Sequence, residues 1–139
     1  MAKQLFNLIF LISICLLLTN CKTNRTVNGF KQGKWISIDT TNNQVYKHVE
    51  FYKKGEEVKT WKTFKNKKKY KVEKYKKGIC LVTYYHPNGK IAIKGQTKQE
   101  VSEKEIHWYY FGDWLFFDEN GKLTKTKIYE NGTFINDFD

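Results

Sequence analysis

Three histidines and three cysteines are the side chains of this sequence that could ligate a metal or carry a nucleophilic reaction. His48, His86 and His107 are widely separated, and none is paired with another at a ligand spacing such as His-x-x-x-His. Turn or solvent-facing histidines are the expectation. Cys80 sits in the apolar stretch ICLVTYY, where a buried inert thiol is expected; a reactive one needs partial exposure and nearby positive charge, and Lys77 alone argues for it. The carboxylate pairs Glu56-Glu57 and Asp137/Asp139 fall in turns or near the last residue and read as solubilising groups, not as an acid/base couple. No Cys-His or Ser-His-Asp grouping is suggested by local context. The expectation is a non-enzymatic chain with no catalytic residue, no metal site and no cofactor.

Binding chemistry is better represented. In KNKKKYKVEKYKK, residues 65 to 77, eight lysines are interleaved with Tyr70 and Tyr75. Lys67, Lys69, Lys71, Tyr70 and Tyr75, with the more distant Trp114, are the candidate binding residues. Lysines alternating with aromatics on a strand could lay a charged face on anionic lipid, polysaccharide or single-stranded nucleic acid. The competing reading is a solvent face or sheet edge on which lysines prevent aggregation. The chain carries a net charge of +11, and Arg25 is its one arginine. Specific phosphate and base-edge recognition favours the planar guanidinium, so general attraction to anionic surfaces is expected and a specific nucleic-acid site is not.

The elements that would position these residues are strands. Turn signals recur at Gly33, Asn42-Asn43, Gly55, Asn66, Gly78, Asn88-Gly89, a polar stretch near Glu100, Gly112, Asn120-Gly121 and Asn131-Gly132. Their spacing of roughly 9 to 12 residues is that of successive antiparallel hairpins. Between them the sequence alternates. In VYKHVEFY, Val45, Val49 and Phe51 face one way and Tyr46, His48, Glu50 and Tyr52 the other; in ICLVTYY, Cys80, Val82 and Tyr84 share a side. Further strands are expected at 34 to 39, 57 to 64, 69 to 76, 90 to 97, 104 to 111, 113 to 118, 122 to 129 and 133 to 138. Pro87, the one proline, precedes the Asn88-Gly89 turn, where it interrupts no ladder. The fold class predicted is all-β: an antiparallel β-meander of stacked hairpin repeats forming an elongated twisted sheet over residues 30 to 139.

The hairpins align with one another. GKWISID at 33 to 39 matches GDWLFFD at 112 to 118, and Tyr stands three residues before Gly at Tyr52/Gly55, Tyr75/Gly78 and Tyr129/Gly132. YYHPNGKIAI and FFDENGKLTK form a further set. This pattern resembles MORN-type repeats, in the variant found in bacterial exported and antitoxin-like proteins. The fullest copy spans 112 to 134, with Gly112, Trp114, Phe117, Gly121, Leu123, Tyr129 and Gly132 in the expected places. KTWKTFKNKKKYKV lacks a turn glycine and TKQEVSEKEIHWYYF is degenerate, so two or three copies are expected. Such repeats cannot bury an apolar face singly and must stack. The resemblance implies an interaction module or, alternatively, an immunity or antitoxin-like protein that neutralises a toxin.

Residues 1 to 20 have the form of a secretory signal, with Lys3 followed by the apolar run LFNLIFLISICLLL. That run is shorter than the roughly 18 to 20 apolar residues a membrane span takes. LTNC, Leu18 to Cys21, resembles a bacterial lipobox apart from Asn20, where a smaller residue is usual. The resemblance implies a lipidated Cys21 as mature N-terminus; simple secretion is the alternative. Residues 21 to 29 would then tether the repeat domain to a membrane of the bacterial cell envelope, facing the periplasm, with a protein or an anionic envelope polymer as partner.

Overall fold

The computed structural model describes residues 23–101 and 106–139. The expected signal at 1 to 20 and the lipidation site Cys21 lie outside the described residues, as does the centre of the degenerate stretch after Glu100. The described chain is all-β. Its strands are β1 (Arg25–Val27), β2 (Phe30–Thr41), β3 (Gln44–Lys53), β4 (Glu56–Glu57), β5 (Lys59–Lys65), β6 (Lys68–Lys76), β7 (Ile79–Tyr85), β8 (Ile91–Val101), β9 (Ile106–Phe117), β10 (Leu123–Glu130) and β11 (Thr133–Phe138). They make one open antiparallel sheet in chain order, with the two-residue β4 paired beside β3 off the main path.

Short loops impose that order. In Asn28-Gly29, Asn42-Asn43, Lys54-Gly55, Asn66-Lys67, Lys77-Gly78 and Asn131-Gly132 both residues have positive φ, as a two-residue type I′ hairpin turn requires. The loops after β7 and β9 are longer, at residues 86 to 90 and 118 to 122. In each, Gly89 or Gly121 closes a turn by donating to the carbonyl of His86 or Asp118, 2.9 and 3.0 Å.

Register reveals the repeat. Gly33 faces Tyr52, and Gly112 faces Tyr129. Lys59 faces Tyr75 in the same way, at φ 63, in the left-handed region that Gly33 and Gly112 also occupy. Residues 59 to 78 therefore keep the frame of a third copy, with Lys59 in the glycine's place two residues before Trp61. The hairpin β7–β8 keeps the frame without the Trp. Gln99 donates its N–H to the Gly78 carbonyl at 2.8 Å, and Cys80 stands where the other copies have Trp.

Two expectations about boundaries change. Gly33 and Gly112 do not end strands; each kinks a long one, so 104 to 111 and 113 to 118 merge into β9. A glycine with positive φ inside a strand makes a bulge, which bends the ladder without breaking it. The stretch expected as a tether also enters the sheet through β1, and the Asn24 side chain pairs with the Ile36 N–H and carbonyl at 2.7 and 2.9 Å.

The core is small, as a single layer dictates. Cys80, Val82 and Trp114 form its buried centre, with Tyr75, Tyr84, Ile93, Trp108, Phe116 and Tyr129 packed around them. Gly95 lets Trp114 close down, because a Cβ there would fall 2.2 Å from the indole Cδ2.

Candidate functional site

Strand alternation sorts the side chains onto two faces. One face carries an aromatic ribbon running across strands. Trp35 meets Tyr52 at 6.2 Å between ring centroids, Tyr52 meets Trp61 at 4.8 Å, Trp61 meets Tyr75 at 4.8 Å, and Tyr75 meets Trp108 at 5.5 Å. All five rings are half-buried. A second run, Trp114–Tyr110–Tyr129–Phe134, continues toward β11 at 4.4, 5.1 and 5.8 Å. The pairs are edge-on or tilted, the arrangement aromatic quadrupoles favour.

Polar groups pin the ribbon. The Trp61 and Trp114 indoles donate to the carbonyls of Phe51 and Gln96 at 2.9 and 3.2 Å. Trp35 Nε1 is enclosed and finds no acceptor among the described residues. Tyr52 donates to Glu50 at 3.0 Å, and burial followed by that bond raises its pKa. Burial and the nearby Glu73 charge raise that of Tyr75. Burial alone would lower the pKa of Lys71, but its ion pair with Glu73 at 3.0 Å outweighs this and the net direction is up.

The candidate residues read from sequence do not form one surface. Trp114, only 6% exposed, is the floor of the core and not a free platform. Tyr75 lies in the ribbon between Trp61 and Trp108. Tyr70 sits beside it in a separate trio with Tyr46 and Tyr84, at 5.9 and 5.6 Å. Lys71 is held by Glu73, Lys67 is an exposed turn residue, and Lys69 lies 3.9 Å from the Tyr85 ring centroid. The interleaving yields a mixed lysine and aromatic face only in part: Lys65, Lys69 and Lys71 lie over tyrosine rings, but other lysines turn away. Successive strand residues point to opposite faces, so Lys62, Lys74 and Lys94 share the other side with Val49, Val72 and Leu115.

The pleat also assembles a row that no local spacing announced. Thr63 Oγ1 lies 3.2 Å from His48 Nδ1, and His48 Nε2 lies 3.5 Å from Asp39 Oδ2, across β5, β3 and β2. The residue types are those of a hydroxyl, imidazole and carboxylate relay. Thr63 is only 5% exposed, so its hydroxyl is enclosed instead of presented to a substrate, and His48 satisfies a buried polar group. Cys80, 1% exposed, is likewise enclosed, and burial followed by the Glu73 charge pushes its thiol up to about 11. His86 is tied to the Phe117 carbonyl at 2.9 Å, and His107 stacks on Tyr109. Among the described residues no group of three His, Cys, Asp or Glu side chains could hold a metal ion.

At the end of the sheet marked by the Asn66-Lys67 turn, a cleft of about 430 Å³ opens beside Tyr70. Lys65, Lys68, Lys69, Tyr85 and Gln44 line it, drawn from β3, β5, β6 and β7. Sequence reading placed Lys65, Lys68, Lys69 and Tyr70 in one basic patch and named Lys69 and Tyr70 as candidates, but missed Gln44 and Tyr85, which only the meander brings beside them. The signal for Trp35 and Trp61 was present in the alignment of the repeats. No protein-family model, no curated protein and no solved structure matches this chain.

Proposed function

We propose that this chain is a lipid-anchored bacterial envelope protein whose repeat sheet is a non-enzymatic binding module for a protein or an anionic envelope polymer. The observation that carries the reading is the aromatic ribbon: five half-buried rings in unbroken contact on one side of a sheet that has no second layer among the described residues. Aromatic side chains offer large, stiff contact area with a polar tip, and they are enriched in the cores of protein interfaces. The leader, the lipobox-like LTNC and the MORN-like repeats support the address and the role.

The test uses the full chain, extracted in detergent and incubated with a bacterial envelope extract. Wild type should retain a discrete partner that Trp35→Ser loses, and the intact mass should show acyl chains on Cys21. A preparation that retains nothing, or a mature chain with an unmodified N-terminus, overturns the reading in its binding or its anchoring part. A toxin-like protein among the retained material would move the role to neutralisation, which rests at present on the repeat resemblance alone.

A further inference from the structure

We infer that the cleft beside Tyr70 is a binding site for an acidic sugar unit of an anionic glycan, an inference that rests on the binding-module reading and names its ligand class. Lys65 and Lys68 stand directly opposite each other across β5 and β6. Like charges in that position oppose pairing. Among the described residues no carboxylate forms an ion pair with Lys65, Lys68 or Lys69, whereas Lys71 has one such partner and Lys125 has two. Within the sheet Lys65 and Lys69 lie over rings instead of carboxylates. Lys65 lies 5.7 and 5.8 Å from the Tyr46 and Tyr70 centroids, and Lys69 lies 3.9 Å from that of Tyr85. These contacts hold the ammonium groups at the cleft and leave their N–H donors unspent.

The remaining polar side chains of the lining are Asn66, Gln44 and His86, whose imidazole is committed to the Phe117 carbonyl at 2.9 Å. Asn66 is consumed by the turn: its Oδ1 accepts from the Val45 N–H at 2.9 Å, and its Nδ2 donates to Gln44 Oε1 at 2.6 Å. Gln44 therefore has its amide NH₂ to offer. A ligand must bring acceptors and negative charge to a site whose volume falls in the usual small-ligand range of about 300 to 1,000 Å³. Its body must suit apolar carbon beside rings that are already occupied, because an ammonium group lies over each tyrosine of the lining, Lys69 over Tyr85 and Lys65 over Tyr70. A planar base finds no stacking platform there. The C–H edges of a sugar need only ring edges, Pro87 and lysine stems, while its carboxylate or phosphate takes the ammonium groups.

The experiment titrates trigalacturonate, its methyl ester and a short single-stranded DNA into the full chain in detergent micelles. Lys68→Gln/Lys69→Gln should weaken trigalacturonate by about tenfold or more, as loss of charge-assisted bonds does. Lys34→Gln/Lys94→Gln, which removes equal charge elsewhere, should change it by less than about twofold. The ester should bind wild type about tenfold more weakly or worse. An ester equal to the acid, equal losses in both double variants, or DNA binding as tight as the saccharide overturns the inference. Retention of the envelope partner by wild type and by Lys68→Gln/Lys69→Gln alike would refute the cleft while leaving the binding module standing. Saccharide binding as expected by a chain that retains no envelope partner would do the reverse.

Discussion

Replacing Gly95 with alanine probes the place where the Trp114 ring packs down on the backbone of β8. A Cβ at Gly95 would lie 2.2, 2.5 and 2.6 Å from Cδ2, Cε2 and Cε3 of Trp114, so the indole must retreat by more than an ångström. It has little room, with Tyr110 at 4.4 Å on one side and its N–H committed to the Gln96 carbonyl at 3.2 Å. Overpacking of this kind costs about 1 to 3 kcal/mol. Loss of the indole hydrogen bond adds about 0.5 to 1.5 kcal/mol. Alanine recovers about 0.4 to 1 kcal/mol by stiffening the unfolded chain. The net expectation is a loss of about 0.5 to 4 kcal/mol, centred on about 2, read as a lower urea midpoint at unchanged slope. The same substitution in a Trp114→Ala background meets no ring and should be neutral or stabilising, a coupling of about 1 to 3 kcal/mol. Equal costs in both backgrounds would refute the packing argument.

Trp114→Ala alone should lower stability by about 3 to 5 kcal/mol, since the ring is the largest part of the buried cluster; a denaturant melt within error of wild type would contradict that. Lys59→Gly should raise the melting midpoint, because a left-handed conformation costs an L-residue about 1 to 2 kcal/mol and the lost contact with Phe51 is worth about 0.5 to 1 kcal/mol. A drop would mean that the third copy does not need its glycine-like kink. The folded Cys80 thiol binds its proton more tightly than the unfolded one, so stability should fall as pH rises from about 9 to about 11. Tyr52 and Tyr75, raised in the same sense, extend the loss to higher pH, and Cys80→Ala should lose less than wild type in the lower window; identical pH profiles would remove the cysteine from the account.

The meander was legible because its turns carry their own chemistry: Asn-Gly, Asn-Asn and Lys-Gly pairs at hairpin spacing leave few other folds open. The faces of β3 and β7 were legible for the same local reason, period-two alternation, and His48 and Cys80 lie on the sides expected. Gly33 and Gly112 were misread as strand ends, since a glycine with positive φ serves a bulge as well as a turn, and only pairing with Tyr52 and Tyr129 tells them apart. Lys59 hid a repeat because composition does not show a lysine in a left-handed conformation. The ribbon and the cleft depend on rings and ammonium groups from neighbouring strands, and their distances follow from register, which a one-residue bulge at Tyr70 and a two-residue shift around Gly112 reset.

Hydroxyl-radical footprinting of the full chain, alone and saturated with the partner captured from envelope extract, tests the binding ribbon most directly. Oxidation of Trp35, Trp61 and Trp108 should fall on binding, while Trp114, already enclosed, should stay unreactive in both states. Unchanged oxidation of the three half-buried tryptophans in a demonstrably bound sample would contradict the account.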